Sequence, residues 1–184
     1  IVSDSTQIKS TSEEVEDMGL SMTFSYVDAK LETNKGINRF NWDMRQKGAW
    51  SDKKSRRFKN GPLVSPGRYT VILKVGEASS EQFFEVLIDP RLEKEGVLDA
   101  TIKEQLLFEN KVIQLLSDAR KLQADVEAEI KKSTNSERKT SLEKVLKKLK
   151  NEEGAYPQQM LVAQISYLSY IVGDADKEVG KDAK

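Results

Sequence analysis

The residue types most often used for catalysis are missing from this chain, which contains neither cysteine nor histidine. Their absence excludes cysteine nucleophiles, serine–histidine–aspartate triads, histidine acid–base catalysis, zinc sites built on these ligands, and disulfide bonds. The groups left for proton transfer are carboxylates, lysine and tyrosine. Glycoside hydrolysis needs a pair of carboxylates, and no pattern singles out two of the 30 acidic residues. We therefore predict no catalytic residue, no metal site and no cofactor.

Asp43 and Asp52 are the acids that a hydrolase site in this chain would use, because each lies close to an aromatic residue able to stack on a sugar. Asp43 follows Trp42, and Asp52 follows Trp50 by two positions. Trp42 also alternates with the apolar residues Phe40 and Met44. That spacing favours a buried tryptophan on one strand face over a sugar-stacking one, because large aromatics dominate small cores.

Trp50 is the aromatic residue that lies beside a cluster of basic residues. The predicted contact residues are Trp50, Lys53, Arg56 and Arg57, with further basic residues at Lys47, Lys54 and Lys59. This combination could bind an anionic glycan or a phosphate backbone. The alternative is a solvated loop that docks on another domain, because the chain carries no excess charge elsewhere.

A calcium loop near the end of the chain is the remaining metal-site candidate. Asp174, Asp176 and Glu178 have suitable spacing for its first ligands. An EF-hand loop requires glycine at its sixth position, where this chain has Val179. The sequence therefore does not predict calcium binding.

Composition limits the partners. The 184 residues include 30 basic and 30 acidic side chains, so the net charge is zero. A binder of nucleic acid or of an anionic membrane would carry an excess of basic charge. No apolar run approaches the roughly 20 residues that span a bilayer. We predict neither a nucleic-acid partner nor membrane insertion.

The first half of the chain reads as β-structure. Residues 68–75 and 81–88 alternate apolar and polar side chains around a turn-rich link, which predicts a β-hairpin. Residues 37–44 predict a third strand, and residues 20–27 and 1–9 predict further short strands. Several short strands separated by turns indicate a sandwich.

The second half reads as helices. The sheet is expected to end at Asp89-Pro90, because proline cannot continue a strand ladder. Apolar residues then recur at helical spacing over residues 98–130, 136–150 and 158–172. The predicted fold class is α+β, with an immunoglobulin/fibronectin-like β-sandwich over residues 1–91 and a bundle of about three helices over residues 92–184.

Several segments, in order along the chain, resemble a known family. They are GINRFNWDMR at 36–45, GPLVSPGRYTV at 61–71, FEVLIDPR at 84–91, QISYL at 164–168 and AD at 175–176. The set resembles the region after the β-propeller in bacterial sortilin-like, BNR-repeat proteins, which are often labelled glycosyl hydrolases. The Pro-Gly-x-Tyr hairpin alone also resembles the immunoglobulin-like domain of flagellar hook-assembly proteins.

The resemblance implies an immunoglobulin- or fibronectin-like sandwich with a helical tail, in an exported (periplasmic or secreted) protein. It implies a β-propeller domain of the same parent chain as partner. The chain opens in the middle of a pattern at Ile1, as expected of a piece of a longer protein.

We therefore expect a non-catalytic accessory domain that packs on, or tethers, the propeller. One alternative is a carbohydrate-binding sandwich that uses Trp50. A third is a fragment of a glycoside hydrolase with its own carboxylate site.

Overall fold

The computed structural model describes residues 7–10, 23–25, 34–154, 156–174 and 180. The elements in these ranges are β1 (Gln7–Ser10), β2 (Thr23–Ser25), β3 (Gly67–Val75), β4 (Ala78–Val86), α1 (Pro90–Lys94), α2 (Asp99–Lys132), α3 (Ser136–Leu149) and α4 (Leu161–Val172).

The described strands form a single antiparallel sheet in the order β2-β1-β3-β4. Its main part is the long hairpin of β3 and β4, and the two short strands extend it on the β3 side. Val75 pairs with Ala78, so the loop has two residues, and its first residue, Gly76, has φ +59°. A two-residue hairpin loop requires positive φ at this position, which glycine adopts without strain. The predicted hairpin is confirmed, although its second strand begins three residues earlier than expected.

The predicted β-sandwich is wrong. A sandwich needs two packed sheets, and the strands of the described ranges belong to one. The third strand predicted over residues 37–44 does not form; this stretch is an irregular segment followed by an isolated bridge between Arg45 and Leu63. Met44 adopts φ +57°, a left-handed conformation that breaks a strand. Alternating apolar residues fit an extended loop as well as a strand, so the pattern alone was insufficient.

The two short N-terminal strands fall partly where the sequence predicted them. β2 lies inside the predicted range 20–27, while β1 overlaps only the end of the predicted range 1–9. The rest of both ranges lies outside the described residues.

The three predicted helices are confirmed with small shifts. α2 extends over 34 residues, uninterrupted by glycine or proline. Asn135 caps α3 by accepting a hydrogen bond from the backbone N–H of Arg138 at 3.0 Å. α4 begins at Leu161, three residues later than predicted. The short helix α1 was not predicted; Asp89 caps it, with Pro90 in its first turn.

A core of buried apolar residues lies between α2 and α4. Val112, Leu116 and Ala119 of α2 pack with Ile165 of α4, and Ala49 joins them from the N-terminal half. Burial of each large aliphatic side chain stabilises the fold by roughly 1.5–3 kcal/mol. The division of the chain at residues 91 and 92 stays a prediction, but Ala49 makes contact across it.

α4 runs antiparallel to α2. Near one end of the pair, the Gln105 side-chain Nε2 donates a hydrogen bond to the carbonyl oxygen of Val172 at 2.7 Å. Nearer the middle of α2, Val112 and Leu116 contact Ile165. Contacting residues therefore follow opposite orders along the two helices, which shows that the helices are antiparallel. α4 packs along a long face of α2.

Candidate functional site

The segment from Met44 to Val64, named here the Trp50 loop, holds all four predicted contact residues. Its two arms are joined by backbone hydrogen bonds, from Gln46 N to the oxygen of Pro62 at 2.7 Å and from Gly48 N to the oxygen of Phe58 at 2.9 Å. The arms approach so closely that a Cβ on Gly48 would clash with the carbonyl oxygen of Lys59. These backbone contacts therefore hold the two arms of the loop together.

The Trp50 loop docks on α2. The side-chain oxygen of Ser117 accepts a hydrogen bond from the backbone N–H of Trp50 at 3.0 Å and donates one to the oxygen of Ile113 at 2.8 Å. Arg120 Nη1 donates to the carbonyl oxygen of Trp50 at 3.3 Å. Together with buried Ala49, these contacts attach the loop to the middle of the helix.

Trp50 is half-buried, with the guanidinium of Arg57 5.3 Å above its ring centre. Such a cation–π contact is worth about 0.5–1 kcal/mol at an exposed site. Arg57 is also held by the backbone, because its Nε donates to the oxygen of Ser51 at 2.7 Å and its Nη2 to the oxygen of Asp52 at 3.1 Å. Trp50 and Arg57, both predicted contact residues, therefore lie side by side on one surface.

Lys53 and Arg56 are exposed and lie in the turn at the tip of the loop. The backbone N–H groups of Arg56 and Arg57 both donate to the carbonyl oxygen of Lys53, at 2.9 and 3.1 Å. The turn therefore places both arginines next to each other. Whether these residues bind a ligand stays a prediction.

Arg120 is the member of this site that sequence reasoning missed. Burial, and after it the positive charge of Arg56, holds the pKa of Arg120 below the usual guanidinium value, while Asp52 acts in the opposite direction. The group remains protonated at neutral pH. The sequence did offer a signal, because Arg120 directly follows Ala119 at the edge of the apolar stripe of α2. At such an edge, a long basic side chain can lay its apolar part along the packed surface.

A second cluster joins the irregular segment to the hairpin. The rings of Trp42, Tyr69 and Phe84 lie 5.8–6.0 Å apart, centre to centre. Tyr69 is buried and its hydroxyl donates to the oxygen of Ser65 at 2.6 Å. Burial raises the pKa of Tyr69.

The predicted strand face around Trp42 does not form. Trp42 is half-buried in the aromatic cluster, while Phe40 and Met44 are exposed. Its indole Nε1–H donates to the carbonyl oxygen of Arg45 at 3.3 Å. Trp42 therefore packs on the hairpin from an irregular segment and not from a strand.

The two acids considered for hydrolysis have separate local partners. Asp43 accepts a hydrogen bond from the backbone N–H of Arg45 at 3.0 Å, which is a turn contact. Asp52 accepts one from the hydroxyl of Ser51 at 3.3 Å. A catalytic carboxylate pair stays an untested alternative.

The calcium candidate falls mostly outside the described residues, which include Asp174 but neither Asp176 nor Glu178. Across the described ranges, no group of three or more carboxylates is arranged to hold a metal ion. Nor does any helix in these ranges have both the length and the apolar character needed to cross a membrane.

Comparison with known proteins gives no relative. No protein-family model matches the chain, and neither the curated proteins nor the solved structures contain a match to it.

Proposed function

We propose that this chain is a non-catalytic accessory module whose role is to make interdomain or protein–protein contacts. The observation that carries the proposal is an exposed apolar row on β3. Val71, Leu73 and Val75 alternate onto one face and are 36%, 48% and 68% exposed. Exposed apolar surface of this kind marks an interaction site when it is contiguous.

The row has different cross-strand neighbours on its two sides, since Val71 also pairs with Ile8 of β1. Val71 pairs with Gln82, Leu73 with Ser80, and Val75 with Ala78. These partners on β4 are small or polar, so on that side no large apolar side chain stands beside the aliphatic ridge. A ridge of aliphatic residues suits packing on another protein surface.

The surroundings of the two tryptophans considered for sugar stacking favour this function over carbohydrate binding. A sugar-binding surface needs open aromatic rings, whereas Trp42 packs against Tyr69 and Phe84, which are themselves stacked. The ring of Trp50 carries Arg57 on one side. The aliphatic ridge supports contact with protein.

The nature of the partner rests on sequence resemblance. The segments at 36–45 and 61–71 resemble the region after a BNR-repeat propeller, and the proposed partner is therefore a β-propeller domain of the same parent chain, outside the cytoplasm. The sequence upstream of Ile1 in the parent gene tests this part. Propeller repeats there would support it, and a parent chain without them would refute the partner while leaving the contact surface to be tested.

Binding of this chain to the separately expressed remainder of its parent tests the surface. Leu73→Gln combined with Val75→Gln should weaken binding about tenfold or more, because two apolar contacts are lost. Lys74→Gln introduces the same side chain on the opposite strand face and should change binding less than about twofold. Circular dichroism checks that each variant is folded. Equal affinity for all three proteins would refute the proposal.

A further inference from the structure

The Trp50 loop carries an excess of positive charge in a chain whose total net charge is zero. Between residues 47 and 59 the basic side chains are Lys47, Lys53, Lys54, Arg56, Arg57 and Lys59, while Asp52 is the single acid. Six basic residues against one acid give this segment a net charge of +5. Docking on α2 adds the guanidinium of Arg120.

Two of these cations contact Trp50 and a third adjoins one of them; the three are named here the arginine cluster. Arg57 lies over the ring of Trp50 at 5.3 Å, and Arg120 donates to the carbonyl oxygen of Trp50 at 3.3 Å. Arg56 is next to Arg57 in the same turn, and its charge acts on Arg120. The arginine cluster therefore consists of Arg56, Arg57 and Arg120.

None of the three has an ion pair with a carboxylate within the described part of the chain. The salt bridges found there involve other cations, namely Arg91, Lys121, Arg138, Lys147 and Lys150. The positive charge of Arg56 disfavours the protonated form of Arg120, with Asp52 acting in the opposite direction, and solvent screens partly buried Arg120 less than an exposed group. A bound anion would offset the repulsion between the two guanidinium groups.

The loop that carries the cluster is held in place before any ligand arrives. Ser117 fixes the backbone of Trp50, and the carbonyl oxygens of Ser51 and Asp52 hold two nitrogens of Arg57. Pinned groups lose little freedom on binding, so less of the interaction energy is spent on ordering them.

We infer that the arginine cluster is a binding site for a tetrahedral oxyanion, a phosphate or sulfate group. Backbone carbonyl oxygens engage Nε and one N–H of Nη2 in Arg57, which leaves its Nη1 as a donor. Guanidinium N–H groups form charge-assisted hydrogen bonds with the oxygens of such anions. The site is built from other residues than the apolar row on β3, so it can be present whether or not that row binds a protein.

Nuclear magnetic resonance titration at low ionic strength tests the site. Inorganic phosphate and sulfate are the probes, and sodium chloride at matched ionic strength is the reference. We expect saturable shifts in the signals of the Trp50 indole and the Ser117 amide with either oxyanion, and none with chloride. Glucose 6-phosphate, glucose 6-sulfate and glucose then identify the source of the group: a phosphate ester, a sulfate ester, or the sugar itself. Binding of glucose equal to that of its esters would overturn the inference.

Two variants with the same charge change separate the site from general electrostatics. Arg56→Gln removes an exposed member of the cluster and should weaken phosphate binding about tenfold. Lys144→Gln removes an exposed charge on α3 and should leave the dissociation constant within about twofold. Absence of saturable binding in the parent protein, or equal weakening by both variants, would overturn the inference.

Discussion

Ser117 makes the hydrogen bond that holds the Trp50 loop on α2, and Ser117→Ala removes it. The Oγ atom is 3.0 Å from the backbone nitrogen of Trp50, and Ser117 is buried. In the variant, the Trp50 N–H loses its partner at a partly buried position, which costs about 1–3 kcal/mol. Alanine is the better helix former, and its gain of roughly 0.5 kcal/mol partly offsets the loss. We expect a net destabilisation of about 1–2 kcal/mol.

Ser141→Ala is the matched control. Ser141 is exposed on α3, and its hydroxyl donates to the oxygen of Glu137 at 3.0 Å, so no loop depends on it. Its replacement should be neutral or stabilising by up to about 0.5 kcal/mol.

Urea denaturation of both variants measures the difference. Circular dichroism follows the helices. Tryptophan fluorescence reports on Trp42 and Trp50, of which Trp50 should become more exposed in Ser117→Ala. Equal unfolding free energies for Ser117→Ala and Ser141→Ala, with an unchanged fluorescence spectrum, would refute the docking contact.

Three further predictions concern other parts of the fold. Leu116→Ala should lower the unfolding free energy by about 3 kcal/mol in urea denaturation, because Leu116 is buried at the centre of the main core; Leu122→Ala, at a half-exposed position on the same helix, should cost far less. Gln46→Met should leave stability unchanged or raise it by about 1 kcal/mol, because the buried amide of Gln46 has no hydrogen-bond partner in the described ranges, and a lower melting temperature would contradict this. Hydrogen bonds from Arg91 lower the pKa of Asp89 to about 2, so the stabilisation from this carboxylate should be present above its unfolded pKa of roughly 4 and be lost as the pH falls through 2. Nuclear magnetic resonance titration of Asp89 measures that pKa, which should rise towards the ordinary value in Arg91→Ala; no change would contradict the assignment.

Local patterns in the sequence determined the helices and the hairpin. The apolar positions of α2 recur at helical spacing without glycine or proline, and a pattern this long has few other solutions. Gly76 lies between two alternating runs, which is enough to predict a turn there. The formation of these elements depends mainly on residues close together in the sequence, so they can be predicted from one sequence.

The tertiary structure alone decided what covers each element. Alternation in β3 shows that one face is apolar, yet it does not say whether a second sheet covers that face, and the predicted sandwich failed at this point. The same limit applies to the basic site. The sequence indicated Trp50 and Arg57, which are close along the chain, but Ser117 and Arg120 are 67 and 70 residues away from Trp50. Local periodicity does not indicate which helix a loop will contact, because that contact joins residues far apart in the sequence and forms only when the intervening chain folds.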